Sequence, residues 1–230
     1  MSKSDQINQA VFELWERRYK SGANVRVPLV YPPLKRNGLL FVGLNPSFSE
    51  QGFRRILKDT PYADIKAVDF FHWRNRSSFD LQTAAKIETI ARDKYQFFDK
   101  FKSIARHIGL KWEHVDLFFY RENDQKNLKR RVYGKGGPND FGRAQLELSK
   151  ALIVDVKPKV IIVANAFAAG IFHAEFGAEF DEETGYHQTQ IARRSVPTFL
   201  ASMLTGQRAM DNYSYQRLLW HIKIAVKNVG

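Results

Sequence analysis

The sequence predicts the α/β class, with a mostly parallel sheet covered by helices on both faces. Three observations carry that expectation. Short aliphatic runs alternate with longer amphipathic segments along the chain. The runs Leu39-Leu40-Phe41-Val42 and Val160-Ile161-Ile162-Val163 are apolar at every position, as in strands buried on both faces. Hydrophobic residues make up 44% and aromatic residues 13% of the 230, enough for a sizeable core in one domain.

Residues 4–20 form an amphipathic helix, with Ile7, Ala10, Val11, Leu14 and Trp15 on one face and Ser4 or Asp5 as cap. Residues 21–38 hold Gly22, Pro28, Pro32, Pro33 and Gly38 and read as a loop feeding the first strand, residues 39–43. Residues 48–80 mix basic and aromatic residues around one breaker, Pro61, and specify no element. Residues 81–108 read as one helix stopped by Gly109, and residues 114–120 as a second strand. Residues 121–142 read as a charged, glycine-rich loop. Residues 143–156 are helical up to the stop before Pro158, and residues 160–164 form a third strand, followed by a helix to about residue 176. Residues 189–193 read as a short strand and residues 198–202 as a fourth core strand. Tyr215, Leu218, Leu219, Ile222 and Val226 place an apolar face on a closing helix. No repeat, low-complexity tract or linker intervenes, so one domain is expected over 1–230, with 1–37 as its N-terminal helix and lead-in loop.

Thirty-six Lys and Arg against twenty-four Asp and Glu leave a net charge of +12, which suits a polyanionic partner, nucleic acid first, or simple solubility. Cysteine is absent, which excludes disulfides, thiolate nucleophiles and Cys-ligated zinc or iron–sulfur clusters. The polar start lacks an apolar signal region, and the longest nearly apolar run, residues 160–172, is shorter than the ~20 residues of a spanning helix. A soluble cytoplasmic protein without a membrane partner is expected. The six histidines show no i,i+4 pair, and no P-loop or dinucleotide fingerprint appears.

The string Leu39-Leu40-Phe41-Val42-Gly43-Leu44-Asn45-Pro46-Ser47-Phe48 ends an apolar strand in a tight turn. The carboxyl end of a strand in an open α/β sheet is where ligands usually bind, and a carboxamide held there can orient a water or a base edge. The alternative is an ordinary Asn-Pro turn. This string resembles the first active-site motif of the uracil-DNA glycosylase superfamily in its Asn-Pro variant. The resemblance implies that Asn45 positions the hydrolytic water and that Gly43, Leu44, Pro46, Ser47 and Phe48 shape a base pocket.

Other segments extend the resemblance over residues 38 to 226 as an order of elements. In the family, the second strand often carries an Asn that reads the Watson–Crick edge of uracil; here Val115-Asp116-Leu117-Phe118 offers Asp116. An ionised carboxylate only accepts hydrogen bonds, so a base with an exocyclic amine suits Asp116 better than uracil does. A capping or salt-bridged Asp is the other reading. The helix, Pro158, aliphatic strand and Asn165 match the family's third segment in fold, with Asn165 as a helix cap. The last loop, Ala201-Ser202-Met203-Leu204-Thr205-Gly206-Gln207-Arg208, lacks the family's His-Pro-Ser. Ser202, Thr205, Gln207 and Arg208 offer polar contacts to DNA there, with Arg208 in place of the His, and Leu204 or Met203 offers a wedge. A plain turn capped by Asp211 or Asn212 accounts for the same residues.

Further DNA contacts are expected from Arg74 and Arg76 within Phe70-Phe71-His72-Trp73-Arg74-Asn75-Arg76, whose aromatics serve either base stacking or the core. Lys129, Arg130 and Arg131, beside Gly134, Gly136 and Gly137, are expected to embrace a nucleic-acid backbone or to form a solvated loop. The resemblance implies a three-layer α/β/α sandwich around a mostly parallel sheet of about four strands. It also implies a monomeric DNA base-excision glycosylase that needs no metal or cofactor. The alternative is a non-catalytic protein of the same fold that binds nucleic acid or a modified nucleotide.

Overall fold

The computed structural model describes residues 2–206 and 209–229. Its elements follow in the order α1 (Lys3–Arg18), β1 (Leu39–Gly43), α2 (Glu50–Leu57), α3 (Ala67–Phe70), a 3₁₀ turn (Trp73–Ser78), α4 (Leu81–Lys94), a second 3₁₀ turn (Gln96–Phe98), α5 (Asp99–Ile108), β2 (Trp112–Asp116), α6 (Gln125–Val132), β3 (Tyr133–Gly134), β4 (Gly137–Pro138), α7 (Asp140–Val156), β5 (Val160–Ala164), α8 (Ala166–Phe176), β6 (Glu179–Asp181), β7 (Tyr186–Ile191), β8 (Arg194–Ala201) and α9 (Asn212–Val229). The chain divides into two compact units and passes between them after Pro33, Leu44, Gln96, Leu117 and Lys150. None of these passages is a linker, which is why composition marks no boundary.

The unit made of residues 34–44, 97–117 and 151–230 holds one six-stranded sheet in the order β2-β1-β5-β8-β7-β6. The first four strands are parallel, and β7 and β6 add antiparallel at one edge. The four expected strands are thus the parallel part of a larger, mixed sheet. Alternation along the strands sorts their side chains by face. Leu39, Phe41, Val160 and Ile162 share one core cluster with Phe101, Ile104 and Ala105 of α5 and Ile222 and Ala225 of α9. Leu40, Val42, Ile161 and Val163 are also fully buried, as in parallel strands covered on both faces. Helix α8 packs on β5 and β8, and Asn165 caps it as expected, accepting from the amides of Phe167 and Ala168.

Two strand boundaries shift for identifiable reasons. β2 ends at Asp116, earlier than the expected residue 120, because the following backbone finds partners outside the sheet: Phe119 N–H donates to Gln145 Oε1, and Phe119 C=O accepts from Leu29 N–H. β7 and β8 form a hairpin whose two-residue turn, Ala192 and Arg193, has positive φ at both positions (50° and 76°). Such a turn normally announces itself by Asn-Gly or a similar pair, which this sequence lacks.

The other unit, residues 1–33, 45–96 and 118–150, is mainly helical. Ser2, not Ser4 or Asp5, caps α1; Asp5 returns the bond as the third residue of a capping box. The unassigned residues 48–80 contain α2, capped by Ser49, and the short α3. The single helix expected over 81–108 is two, broken at Tyr95, whose hydroxyl would lie 2.2 Å from a Cβ at Gly52. The tyrosine leaves helical geometry to occupy the space that glycine keeps open on α2. The expected loop 121–142 contains α6, capped by Asp124 and anchored by buried Leu128 and Val132, followed by the two-residue strands β3 and β4. Among the described residues, no helix is long and apolar enough to cross a membrane.

Candidate functional site around the Asn45 loop

Gly43 closes β1 opposite Asp116 of β2. His114 and Asp116 lie on one face of β2, with His114 Nε2 3.5 Å from Asp116 Oδ1, and both residues are buried. A Cβ at Gly43 would stand 2.2 Å from Asp116 Oδ1 and 2.8 Å from His114 Nε2. Glycine is required here by the approach of a carboxylate and an imidazole, not by its backbone angles. The rings of Phe97, Phe98 and Phe101 surround His114 at 5.3 to 6.3 Å. Asp116 is only 4% exposed, so the base-reading role expected of it is replaced by a buried partnership with His114.

Asn45 follows β1 by two residues and starts a loop tied to residues 120–123. Its Nδ2 donates to the carbonyls of Tyr120 (3.1 Å), Glu122 (2.7 Å) and Pro46 (3.2 Å). Three carbonyl oxygens around one atom fix which end of the amide is nitrogen. Asn123 makes the reciprocal clamp: its Oδ1 accepts from Phe48 N–H, and its Nδ2 donates to Phe48 C=O, both at 2.7 Å. Glu122 N–H donates to Pro46 C=O. Asn45 therefore staples this loop to residues 120–122. Asn45 is half-buried, and among the described residues its Oδ1 accepts no hydrogen bond.

Beneath this loop, Phe48, Phe53 and Phe71 pack together at 5.0 to 6.0 Å. Two arginines lie on that cluster. The Arg26 guanidinium sits 3.5 Å over the Phe48 ring, and that of Arg121 4.5 Å over Phe71. Arg121 is buried and ion-paired with buried Glu88. Burial, with the charge of Arg121 next in weight, pushes the pKa of Arg26 below its ordinary value. The rings of Tyr19 and Tyr120 lie 6.5 Å apart. Burial raises the pKa of both, that of Tyr19 to about 12, against the opposing charge of Arg131. Arg26, Arg121, Glu88, Tyr19, Tyr120 and Asn123 were not singled out by sequence. The available signal was an arginine between Val25 and Val27 in an apolar lead-in run, and the string Arg121-Glu122-Asn123-Asp124 ending another.

The remaining expected residues lie as follows. Leu44 and Phe48 are buried, Pro46 is half-buried and Ser47 is exposed. Leu204 is 3% exposed and belongs to the core cluster under the sheet, which removes it as a duplex wedge. Ser202 is exposed and Met203 and Thr205 are half-buried, in a turn closed by Met210 N–H on Met203 C=O. Asp211 caps α9 by accepting from the amides of Tyr213 and Ser214. Gln207 and Arg208 lie outside the described residues. Lys129, Arg130 and Arg131 are exposed, on α6 and not on a loop. Arg74 is exposed, 4.0 Å from Asp69, and Arg76 lies 5.2 Å over Trp73. Phe71 and Trp73 are fully buried and serve the core.

A cavity of about 570 Å³ opens elsewhere in the helical unit, beside α1 and α4, and none of the expected site residues lines it. Its buried Asn8 is satisfied in both directions by the Tyr31 backbone. Among the described residues, no three His, Asp or Glu side chains gather as a metal site. No protein-family model matches the chain, and no curated protein matches it.

Proposed function

We propose that the protein binds DNA and hydrolyses the N-glycosidic bond of a damaged or deaminated base extruded from it, with Asn45 as the residue that orients the attacking water. The observation that supports this reading is the state of the Asn45 carboxamide. Its nitrogen is held by three carbonyls while its oxygen accepts no hydrogen bond among the described residues. An amide is a poor base, so its contribution is orientation, and orientation needs an immobile acceptor. The resemblance of the Gly43-Leu44-Asn45-Pro46-Ser47 string to the uracil-DNA glycosylase superfamily, and the +12 charge, agree with it.

Oligonucleotides bearing uracil, hypoxanthine, xanthine or a mismatch test the proposal. Abasic sites should appear with the native chain and vanish in Asn45→Ala folded at the assay temperature. Binding that survives in that variant, with no cleavage of any substrate by the native chain, would instead establish the non-catalytic reading. The burial of Asp116 beside His114 favours that second reading, because it withdraws the expected base-reading carboxylate. Changing Lys129, Arg130 and Arg131 together to Ala should flatten the salt dependence of binding by about one unit of slope for each phosphate that the variant no longer neutralises.

A further inference from the structure

We infer that the Asn45 loop carries a phosphate-binding site whose principal cation is Arg26, with the Tyr19–Tyr120 hydroxyl pair and Arg131 beside it. The inference deepens the nucleic-acid reading and rests on it for the ligand that bears the phosphate. Arg26 is half-buried, yet its guanidinium makes no hydrogen bond and no ion pair among the described residues. The carboxylates whose charge it feels are engaged elsewhere. Glu122 Oε1 accepts from the amides of Asn123 and Asp124, and Glu50 lies 3.8 Å from Arg54. Glu88 belongs to Arg121. Two guanidiniums thus rest on one phenylalanine cluster; Glu88 pairs with Arg121, and Glu122 and Glu50 act on Arg26 by charge without an ion pair to it among the described residues. Arg121 also leaves its buried Nε N–H without an acceptor among the described residues.

A guanidinium stacked flat on a ring keeps its N–H edge for a planar or tetrahedral anion. The stack on Phe48 holds Arg26 against the loop that Asn45 and Asn123 immobilise. Tyr19 and Tyr120, packed ring to ring, bring neutral hydroxyls to the same place. Arg131 and Arg18 bring further positive charge to the same pair. Phosphate, as a free nucleotide or as a link in a chain, fits an excess of cations with fixed donors better than a neutral ligand does.

Titration with inorganic phosphate, followed by the amide resonances of Phe48 and Arg121, tests the site without any base. Arg26→Met keeps the packing on Phe48 and removes the charge; it should weaken phosphate binding about tenfold or more. Tyr120→Phe should weaken it less. Should Arg26→Met fail to fold, Arg26→Lys keeps the charge and loses the fork, and is expected to bind phosphate several-fold more weakly. Phosphate binding within twofold of native in the folded Arg26 variants would overturn the inference, even if abasic sites form. Conversely, phosphate binding that disappears with Arg26 in a chain that excises no base upholds it while the glycosylase reading fails. A nucleoside monophosphate that binds as well as an oligonucleotide would identify a free nucleotide as the source. Tighter, salt-dependent binding of the oligonucleotide would identify a strand.

Discussion

Replacing Asn45 tests the staple and its chemistry separately. Its two N–H groups serve three backbone carbonyls, those of Pro46, Tyr120 and Glu122. At about 1 kcal/mol net for each donor, Asn45→Ala should lose about 2 kcal/mol, and Tm should fall by roughly 4–8 °C in a chain of this size. Asn45→Asp should be worse at neutral pH, because an acceptor then faces three acceptors. That carboxyl would titrate above its unfolded value of about 3.9, since only the protonated form can donate to a carbonyl. The sign follows: the Asp variant should be closest to native below about pH 4 and should lose stability as the pH rises through its raised folded pKa. Urea unfolding at several pH values between 4 and 8, with native chain and Ala variant as references, measures both effects. An Ala variant within about 0.5 kcal/mol of native, or an Asp variant whose deficit does not change with pH, would refute the staple.

Three further outcomes follow from close approaches and burial. Gly43→Ala should cost about 1–3 kcal/mol and shift the His114 ring resonances, because its Cβ would displace the Asp116 carboxylate and the imidazole; unchanged resonances would show that the pair is not seated there. Glu88→Gln leaves Arg121 as a buried cation without its counter-charge and should cost about 3 kcal/mol or more, whereas Glu88→Leu combined with Arg121→Met should be much milder. Equal losses in the single and double variants would contradict that. Tyr19 has a folded pKa of about 12. Its stabilising contribution is complete below the unfolded value of about 10 and is lost as pH rises through the folded one. Stability should therefore decline between about pH 10 and pH 12, less steeply in Tyr19→Phe, which unfolding curves paired with tyrosinate absorbance would measure.

The parallel part of the sheet was legible because its strands announce themselves twice, by uniform apolarity and by the helices between them. Leu39–Gly43 and Val160–Ala164 are found at the expected residues. The edge was not. β6 is the three-residue string Glu-Phe-Asp, with too few side chains to show a period, and the β7–β8 turn uses Ala192 and Arg193 where the backbone prefers glycine or asparagine. Helix α6 was hidden because only Leu128 and Val132 face inward among its basic residues. Tertiary packing decided the rest: nothing local in Tyr95 predicts that Gly52 will make room for its hydroxyl.

The site was legible as a place but not as a set of partners. Its anchor, Asn45, was visible because a strand, a glycine and a proline bracket it. Arg26, Tyr19, Tyr120 and Asn123 come from distant stretches, and their meeting depends on packing that no short pattern encodes. That meeting also narrows what Asn45 can do within the proposed function. Reading a base edge such as that of uracil needs both a donor and an acceptor. The donor end of Asn45 is committed to three carbonyls, which leaves an acceptor alone, suited to holding a water and unsuited to choosing a base. Removing the amide should therefore slow bond cleavage while leaving the affinity for an oligonucleotide with an uncleavable abasic analogue within a few-fold of native, provided the loop stays folded. A large drop in that affinity in Asn45→Ala, in a variant whose Phe48 and Asn123 amide resonances are unmoved, would mean that the carboxamide touches DNA itself and not the water.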